Sequence, residues 1–262
     1  MIRGDILNFN TNTLLKVIKL SAQIILENGG ETYRAEETIK YICKSYDVME
    51  IDSIATPTGF YLTVSIDGED NNTIVKRIRK RSIDLQKIND VNNISRQLSS
   101  HSITLEDGLA QLERILNVKD VQYKCSFIYS GISSAFFTVL FGGGIFEFFI
   151  SLIAGLSISF ISKTFEELHS YQFFSSILSG AVLSLIAVAS TYIFKAGDYN
   201  YIIVGSMMPL LPGLAMTNAI RDTIRGDLIS GIARAAEALL VASSLAAGAG
   251  AVIYTAYSLG VL

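Results

Sequence analysis

The sequence has little cysteine, histidine and proline: two cysteines, two histidines and three prolines occur in 262 residues. Cys43 and Cys125 lie 82 positions apart, a spacing that excludes a paired zinc site, and two cysteines are too few for a disulfide framework. His101 and His169 have no catalytic partner close by in the sequence, and the chain has no phosphate-binding loop. These absences indicate neither an enzyme nor transport driven by ATP, and we expect no cofactor.

Charge is scarce as well, but only in the second half of the chain. Residues 1–122 contain 15 Lys and Arg and 17 Asp and Glu, whereas residues 123–262 contain 6 and 7. The first part has the polarity of a soluble domain, and the second is too apolar for one. We therefore predict a small cytoplasmic α+β domain at 1–122 and a membrane domain at 123–262. The net charge of −3 gives no indication of nucleic acid as a partner.

Five segments of the second domain are long and apolar enough to cross a bilayer, whose core of ~30 Å needs roughly 20 residues of helix. They cover about 123–142, 144–162, 172–194, 199–217 and 233–258. The predicted fold is an α-helical membrane protein with about five transmembrane helices, so the lipid bilayer is one partner. For 123–162, which contains a run of three glycines, a re-entrant hairpin is the alternative to two spans.

Basic residues near the ends of the spans predict the orientation, because Lys and Arg accumulate on the cytoplasmic side. Lys124, Lys163, Arg221 and Arg225 fall on the side of the N-terminal domain, and the opposite side has Lys195. The polar start of the chain is followed by an amphipathic helix, which is not typical of a secretory signal. We expect a multi-pass protein of the cell membrane with a cytoplasmic N-terminal domain and an outer C-terminus.

The first domain shows the patterns of two helices, three short strands and two further helices. Its polar cluster, at the start of the second helix, consists of Glu31, Thr32, Arg34, Glu36 and Glu37. Two interpretations remain open. Either the carboxylates form an acid–base pair or a cation site, or they belong to a capped helix start with a solvated charged face.

The segment 205–240 combines features that a simple membrane anchor does not need. Pro209, Pro212 and Gly213 lie in an apolar stretch, where the prolines predict a break in the fourth span. Irregular backbone at membrane depth is tolerated where it lines a cavity or is buried in protein. The break therefore marks either a substrate path or a kink that shapes helix packing.

Polar residues follow the break: Asn218, Asp222, Asp227, Arg234 and Glu237. A charge inside a span costs at least about 2.5 kcal/mol, so such groups face a cavity or each other. Arg234 and Glu237 are three positions apart and can pair, while an Arg facing the path would bind a substrate carboxylate. Glu147 adds a carboxylate to a face of small residues in the second span. Arg221 and Arg225 share a helical face with Asn218 and Asp222. They either form a polar cluster with these two residues at the cytoplasmic mouth or act as topology anchors.

Two parts of the chain resemble the threonine/serine exporter family: "ENGGETYRAEETIKYIC" with "IATPTGFYLTVS", and "DYNYIIVGSMMPLLPGLAMTNAIRDTIRGDLISGIARAAEALLVASSLAAGAG". The resemblance extends over about residues 14–258 and implies an exporter. By this resemblance, the residues of this chain that match the family's signature are Pro209, Pro212, Gly213, Asn218, Asp222, Gly226, Asp227, Gly231, Arg234 and Glu237. Long members have five further spans, so this chain resembles the split form, whose other half is a separate five-span membrane protein. Such two-chain systems are associated with export of dicarboxylates such as succinate, and single-chain members with threonine and serine.

The favoured function is a secondary transporter subunit that exports a small carboxylate-bearing metabolite together with a second membrane half. A second unit of five spans would run in the opposite direction, as in transporters built from inverted repeats. The alternatives are a membrane-anchored enzyme that uses the Glu31–Glu37 cluster and an assembly scaffold without transport. Polar helix faces and a broken span are needed for neither alternative.

Overall fold

The computed structural model of the protein describes residues 10–48, 50–65, 72–118, 126–167 and 172–262. The chain divides into two compact units. The first contains Met1–Asp120 and Ala215–Ala235, and the second contains Val121–Leu214 and Ala236–Leu262. The segment 215–235, which the sequence analysis places in the membrane domain, thus belongs to the same compact unit as the N-terminal residues.

The N-terminal part of the first unit has four helices and a small sheet, in the predicted order. Its elements are α1 (Thr11–Glu27), α2 (Thr32–Ser45), β1 (Glu50–Thr56), β2 (Gly59–Ser65), β3 (Asn72–Arg77), α3 (Leu85–Ser99) and α4 (Leu105–Asn117). The three strands are antiparallel and neighbour one another in chain order. One face of the sheet supplies Phe60, Leu62 and Val64 to a core shared with the helices. Tyr61 points to the other face and is exposed, as the alternation of side chains along a strand requires.

The remainder of the first unit is a corner between two helices, α9 (Gly213–Ile224) and the start of α10 (Leu228–Ser258). Gly226 adopts φ +91°, and the N–H groups of Gly226 and Asp227 donate to the carbonyls of Thr223 and Asp222 at 3.0 Å. This is a Schellman ending, which favours glycine at its left-handed position. Asp227 then caps α10 by accepting the N–H of Ser230 at 3.3 Å. The predicted spans 199–217 and 233–258 leave 218–232 as a connection, but only residues 225–227 interrupt the helices.

The second unit contains α5 (Ser126–Leu140), α6 (Ile145–Glu167), α7 (Gln172–Phe194), α8 (Tyr199–Met207) and the rest of α10. Among the described residues, three helices are long and apolar enough to span a membrane: Ile145–Ser162, Phe173–Phe194 and Leu228–Ser258. The broken pair Tyr199–Leu210 and Gly213–Ile224 gives a fourth if it counts as one span. The apolar part of α5, Phe127–Leu140, is shorter, and the first residues of the predicted span 123–142 lie outside the described residues. A count of five therefore stays a prediction.

The predicted break in the fourth span is present where the prolines lie. α8 ends at Met207, a single 3₁₀ turn covers Met208–Leu210, and Leu211 is extended before α9 begins at Gly213. Pro209 lies in the first positions of the 3₁₀ turn and Pro212 directly precedes α9. Proline is tolerated at both places because the first N–H groups of a helix have no intrahelical acceptor.

Small residues let the helices of the second unit approach closely. A side chain on Gly180 of α7 would collide with the carbonyl of Leu245, and one on Gly248 of α10 with the carbonyl of Ile177. Gly180 and Gly248 therefore allow a backbone-to-backbone contact between α7 and α10, as membrane helix pairs commonly have.

Candidate functional site: a polar interface at the end of α1

The loop between α1 and α2 presents two backbone carbonyl groups. Gly29 adopts φ +85°, and Gly30 N–H donates to the carbonyl of Ile25 at 2.9 Å, so the chain turns sharply after α1. A side chain on Gly30 would collide with Ile25. Two consecutive glycines thus bring the carbonyls of Gly29 and Gly30 to the surface against which α9 and α10 pack.

Side chains of the α9–α10 corner donate to these two carbonyls. Asn218 Nδ2 donates to the oxygen of Gly29 at 3.0 Å, and Arg234 Nη2 donates to the oxygen of Gly30 at 2.8 Å. Asn218 and Arg234 are both buried. A buried carbonyl without a donor is costly in free energy. These two hydrogen bonds therefore stabilise the packing of the α9–α10 corner against Gly29 and Gly30.

Arg234 also forms an ion pair inside the interface. Its Nε lies 3.1 Å from Oδ2 of Asp222, whose side chain has no solvent exposure. The sequence predicted a pair between Arg234 and Glu237 or a contact with substrate, whereas the structure gives Arg234 a carboxylate from the preceding helix. Buried pairs of this kind are strongly destabilised when one partner alone is removed.

Glu31, the residue that precedes α2, is the second buried carboxylate of the interface. It pairs with Arg221 of α9 and with Arg34, whose Nε lies at 3.3 Å. Only 6% of Glu31 is exposed. The interpretation of this cluster as a solvated helix face is therefore wrong for Glu31, and Arg221 has a carboxylate partner in addition to any role as a topology anchor.

Two further contacts join α2 and the sheet to the start of α10. Thr32 Oγ1 donates to Oδ2 of Asp227 at 2.8 Å. The residue that caps α10 therefore also accepts a hydrogen bond from the polar cluster at the start of α2. Ser230 Oγ lies 3.4 Å from the carbonyl of Ala55, to which it donates, and Ala55 N–H donates to Oε1 of Glu36 at 2.7 Å. Burial raises the pKa of Glu36, and the Ala55 hydrogen bond opposes that rise.

The residues at the rim of the interface are exposed, as expected if the N-terminal polar cluster has a solvated charged face. Arg225 lies 3.1 Å from Oε1 of Glu37, with about half or more of both side chains in solvent. The guanidinium of Arg225 stacks over the ring of Tyr33, 3.9 Å from its centre, a cation–π arrangement. Pairs this exposed contribute little to stability.

We refer to the contacting residues of α2, α9, α10 and their flanking loops as the polar interface; they are Gly29, Gly30, Glu31, Thr32, Asn218, Arg221, Asp222, Asp227, Ser230 and Arg234. Its carboxylates have arginine, hydroxyl or backbone partners. Within the described ranges, no three His, Cys, Asp or Glu side chains form a group that could hold a metal ion. The arrangement therefore gives no support to the cation-site interpretation of the N-terminal cluster.

The remaining predicted site residues lie elsewhere. Gly213 is the first residue of α9, and a side chain there would have no neighbour within 4 Å. Glu237 lies one turn after Arg234 on α10 and is half-buried. The carbonyls of Gly29 and Gly30 are site groups that were not predicted, and the pair of consecutive glycines is the sequence signal that could have indicated them.

Glu147 has a different environment, in the second unit. Its carboxylate accepts the N–H of Gly144 at 2.9 Å and that of Asp198 at 3.0 Å. Gly144 and Asp198 directly precede α6 and α8, so one buried carboxylate caps two helix N-termini, where negative charge is favoured. Gly197, at φ +78°, leaves room for this approach.

A helical bundle with apolar spans, one of them broken, and a buried ionic interface is typical of a membrane transport protein. The chain belongs to the threonine/serine exporter family, a family of membrane exporters, which matches residues 16–256. It is 18% identical over 248 residues to the probable threonine/serine exporter of Mycobacterium tuberculosis (strain ATCC 25618 / H37Rv). The match covers 94% of this chain and 46% of that protein, so the chain spans about half the length of the curated relative. No solved structure matches it.

Proposed function

We propose that this protein is a subunit of a secondary exporter for a small carboxylate-bearing metabolite, either threonine and serine or a dicarboxylate such as succinate. The observation that carries the proposal is the break between Met207 and Gly213, directly followed in the chain by buried Asn218, Asp222 and Arg234. Irregular backbone and buried charge in an apolar stretch are typical of substrate paths in transporters. Family membership favours this reading over an anchored enzyme or a scaffold.

The proposed path is lined by the broken segment and the signature residues: Pro209, Pro212, Gly213, Asn218, Asp222, Asp227, Arg234 and Glu237, with Glu147 nearer the other end of the spans. Arg234 is the proposed ligand of the substrate carboxylate. Asp222 already provides it with a carboxylate at 3.1 Å, so the substrate would exchange with Asp222 for the guanidinium. Arginine suits this exchange because its planar fork binds one carboxylate with two hydrogen bonds.

We further propose that a second membrane protein of five spans completes the exporter. The M. tuberculosis relative has more than half of its length outside the region that matches this chain. An odd number of spans in each half would place the halves in opposite orientations, as in inverted-repeat transporters with a site at the midplane. The M. tuberculosis protein would then combine in one chain what two chains provide here.

The proposed topology places residues 1–122 in the cytoplasm and the C-terminus outside the cell membrane. It rests on the distribution of Lys and Arg. Single cysteines at Asp198 and Arg221 should react with an impermeant thiol reagent from opposite sides of the membrane. Native Cys43 will not interfere, because burial raises its pKa to about 12 and the thiolate is the reactive form. The other native cysteine, Cys125, is changed to Ser in both variants. Labelling of both positions from outside would contradict the topology.

The transport proposal is tested by efflux of radiolabelled threonine, serine and succinate from cells that lack the gene. The chain alone, the five-span partner alone and both together are compared at equal membrane levels. We expect efflux only with both chains. Arg234→Lys should abolish most of it, because lysine keeps the charge without the two-pronged geometry. Arg225→Lys, at the exposed rim, is the matched control and should retain it. No efflux of any of the three compounds with both chains would overturn the proposal.

A further inference from the structure

The solvent face of the sheet carries a row of apolar side chains. Ile54 of β1, Tyr61 of β2 and Val75 of β3 are in register with one another. Their exposed fractions are 65%, 56% and 62%. Three large apolar side chains side by side on the outside of a polar domain are unusual for a surface that meets only water.

A basic segment continues directly from this row. Arg77 follows Val75 on the same face of β3, and the run Lys76-Arg77-Ile78-Arg79-Lys80-Arg81 contains five basic residues in six positions. Ile78 is buried and its N–H donates to the carbonyl of Thr58 at 2.9 Å, which fixes the start of the segment against the sheet. The basic side chains at 77, 79, 80 and 81 are exposed.

Apolar side chains also flank the other end of the basic segment. Ile83 and Leu85, just before and at the start of α3, are 69% and 61% exposed. The acidic residues of the same sheet face, Glu50 and Asp52, lie at the far end of β1, where Asp52 opposes Thr63. The surface is therefore graded from acidic to apolar to basic, with its apolar and basic parts adjoining.

We propose that this surface, formed by Ile54, Tyr61, Val75 and residues 77–81, docks on an anionic lipid bilayer. Clustered Lys and Arg are attracted to acidic headgroups, and adjoining apolar side chains enter the headgroup region. A bilayer is the occupant that the chemistry fits, since the same chain contains apolar helices that span one. The contact positions the N-terminal domain and makes its placement depend on lipid charge.

The sequence has no tryptophan, so one introduced indole reports on this face alone. Tyr61→Trp is made in the full chain and reconstituted in nanodiscs of brominated phosphatidylcholine, with or without phosphatidylglycerol. We expect bromine quenching of the indole in the anionic discs, weak quenching without phosphatidylglycerol, and release by 1 M salt, where the Debye length falls to about 3 Å. Tyr41→Trp, on α2 in the helical layer, is the matched control and should not be quenched.

A charge variant tests the basic segment separately from the apolar row. In the Tyr61→Trp background, Arg77→Gln, Arg79→Gln and Lys80→Gln together should reduce the docking equilibrium roughly fivefold per charge removed. Changing the exposed Lys16, Lys40 and Lys44 to Gln is the control for net charge and should leave quenching intact. Equal quenching with and without phosphatidylglycerol, or none in either, overturns the proposal. An indole that lipid bromines do not quench and acrylamide cannot reach would show that protein covers the face, which also overturns it.

Discussion

Removing Asp222 alone should destabilise the protein more than removing Asp222 and Arg234 together. Asp222 has no exposed side-chain surface, and Arg234 Nε lies 3.1 Å from it. Asp222→Asn leaves a buried guanidinium without its carboxylate, and breaking a buried pair in this way costs about 3–5 kcal/mol. Since about 1 kcal/mol shifts Tm by roughly 2–4 °C in a chain of this size, we expect Tm to fall by roughly 6–20 °C.

The double substitution Asp222→Asn with Arg234→Met removes both charges. The remaining cost is at the carbonyl of Gly30, which loses the hydrogen bond from Arg234 Nη2 that has a length of 2.8 Å in the wild type. An unsatisfied buried acceptor costs about 1–3 kcal/mol. The expected fall in Tm is then roughly 2–12 °C, because the double variant loses about 2 kcal/mol less stability than Asp222→Asn alone.

The assay is thermal unfolding of the purified full chain in detergent, followed by circular dichroism and by loss of the monodisperse peak in size-exclusion chromatography. The same cycle on Glu37 and Arg225, both changed to Gln, is the control, because exposed pairs contribute only about 0–1 kcal/mol. If the effects of Asp222→Asn and Arg234→Met simply add, the two side chains do not stabilise each other and the described ion pair is not a determinant of stability.

Transport separates the structural role of Arg234 from its proposed role as substrate ligand. The double variant keeps no guanidinium for a substrate carboxylate, so it should fold but not export. A double variant that reaches normal membrane levels and exports at the wild-type rate would count against Arg234 as the ligand while leaving the ion pair intact as a finding.

Three other substitutions have defined outcomes. Glu147→Gln should lower stability by about 1–3 kcal/mol in thermal unfolding, because the amide NH₂ cannot accept an N–H. Asp198→Asn is the control and should change stability little, because the asparagine oxygen can still accept the N–H of Asn200. Gly205→Ala should sharply lower the yield of folded protein, since the added methyl would lie 2.6 Å from the Cα and N of Thr138. Gly213→Ala is the control and should leave the yield unchanged, because a methyl there has no neighbour within 4 Å. Glu36 has a raised pKa in the folded state, so the stability of the wild type should fall relative to Glu36→Gln as pH rises from the ordinary glutamate pKa through the folded-state pKa. Parallel Tm profiles of the two proteins from about pH 4, near the ordinary glutamate pKa, to about pH 8 would contradict this.

The order of elements was predictable because local patterns specify it. Alternation produced the three strands, as in Phe60, Tyr61 and Leu62, where every second side chain enters the core. The break at Pro209 and Pro212 was predictable for a similar reason, because proline removes a backbone donor wherever it lies.

The pairing of residues across the polar interface was not predictable from one sequence. Arg221 and Glu31 are 190 positions apart, and periodicity carries no signal at that distance. Local spacing indicated Glu237, three residues from Arg234, and gave no signal for Asp222. The carboxylate of Asp222 becomes a neighbour of Arg234 through the tight turn at Gly226. Likewise, the acidic face of α2 looked solvated because its partners come from another part of the chain.

The polar interface joins the two segments in which the sequence resembles its family. The glycine pair and Glu31 come from one segment, and Asn218, Arg221 and Arg234 from the other. The second segment contains α9, which begins immediately after the break, and most of α10, which is one uninterrupted helix from Leu228 to Ser258. Because the contacts are ionic and hydrogen-bonded rather than apolar, their strength depends on matched partners.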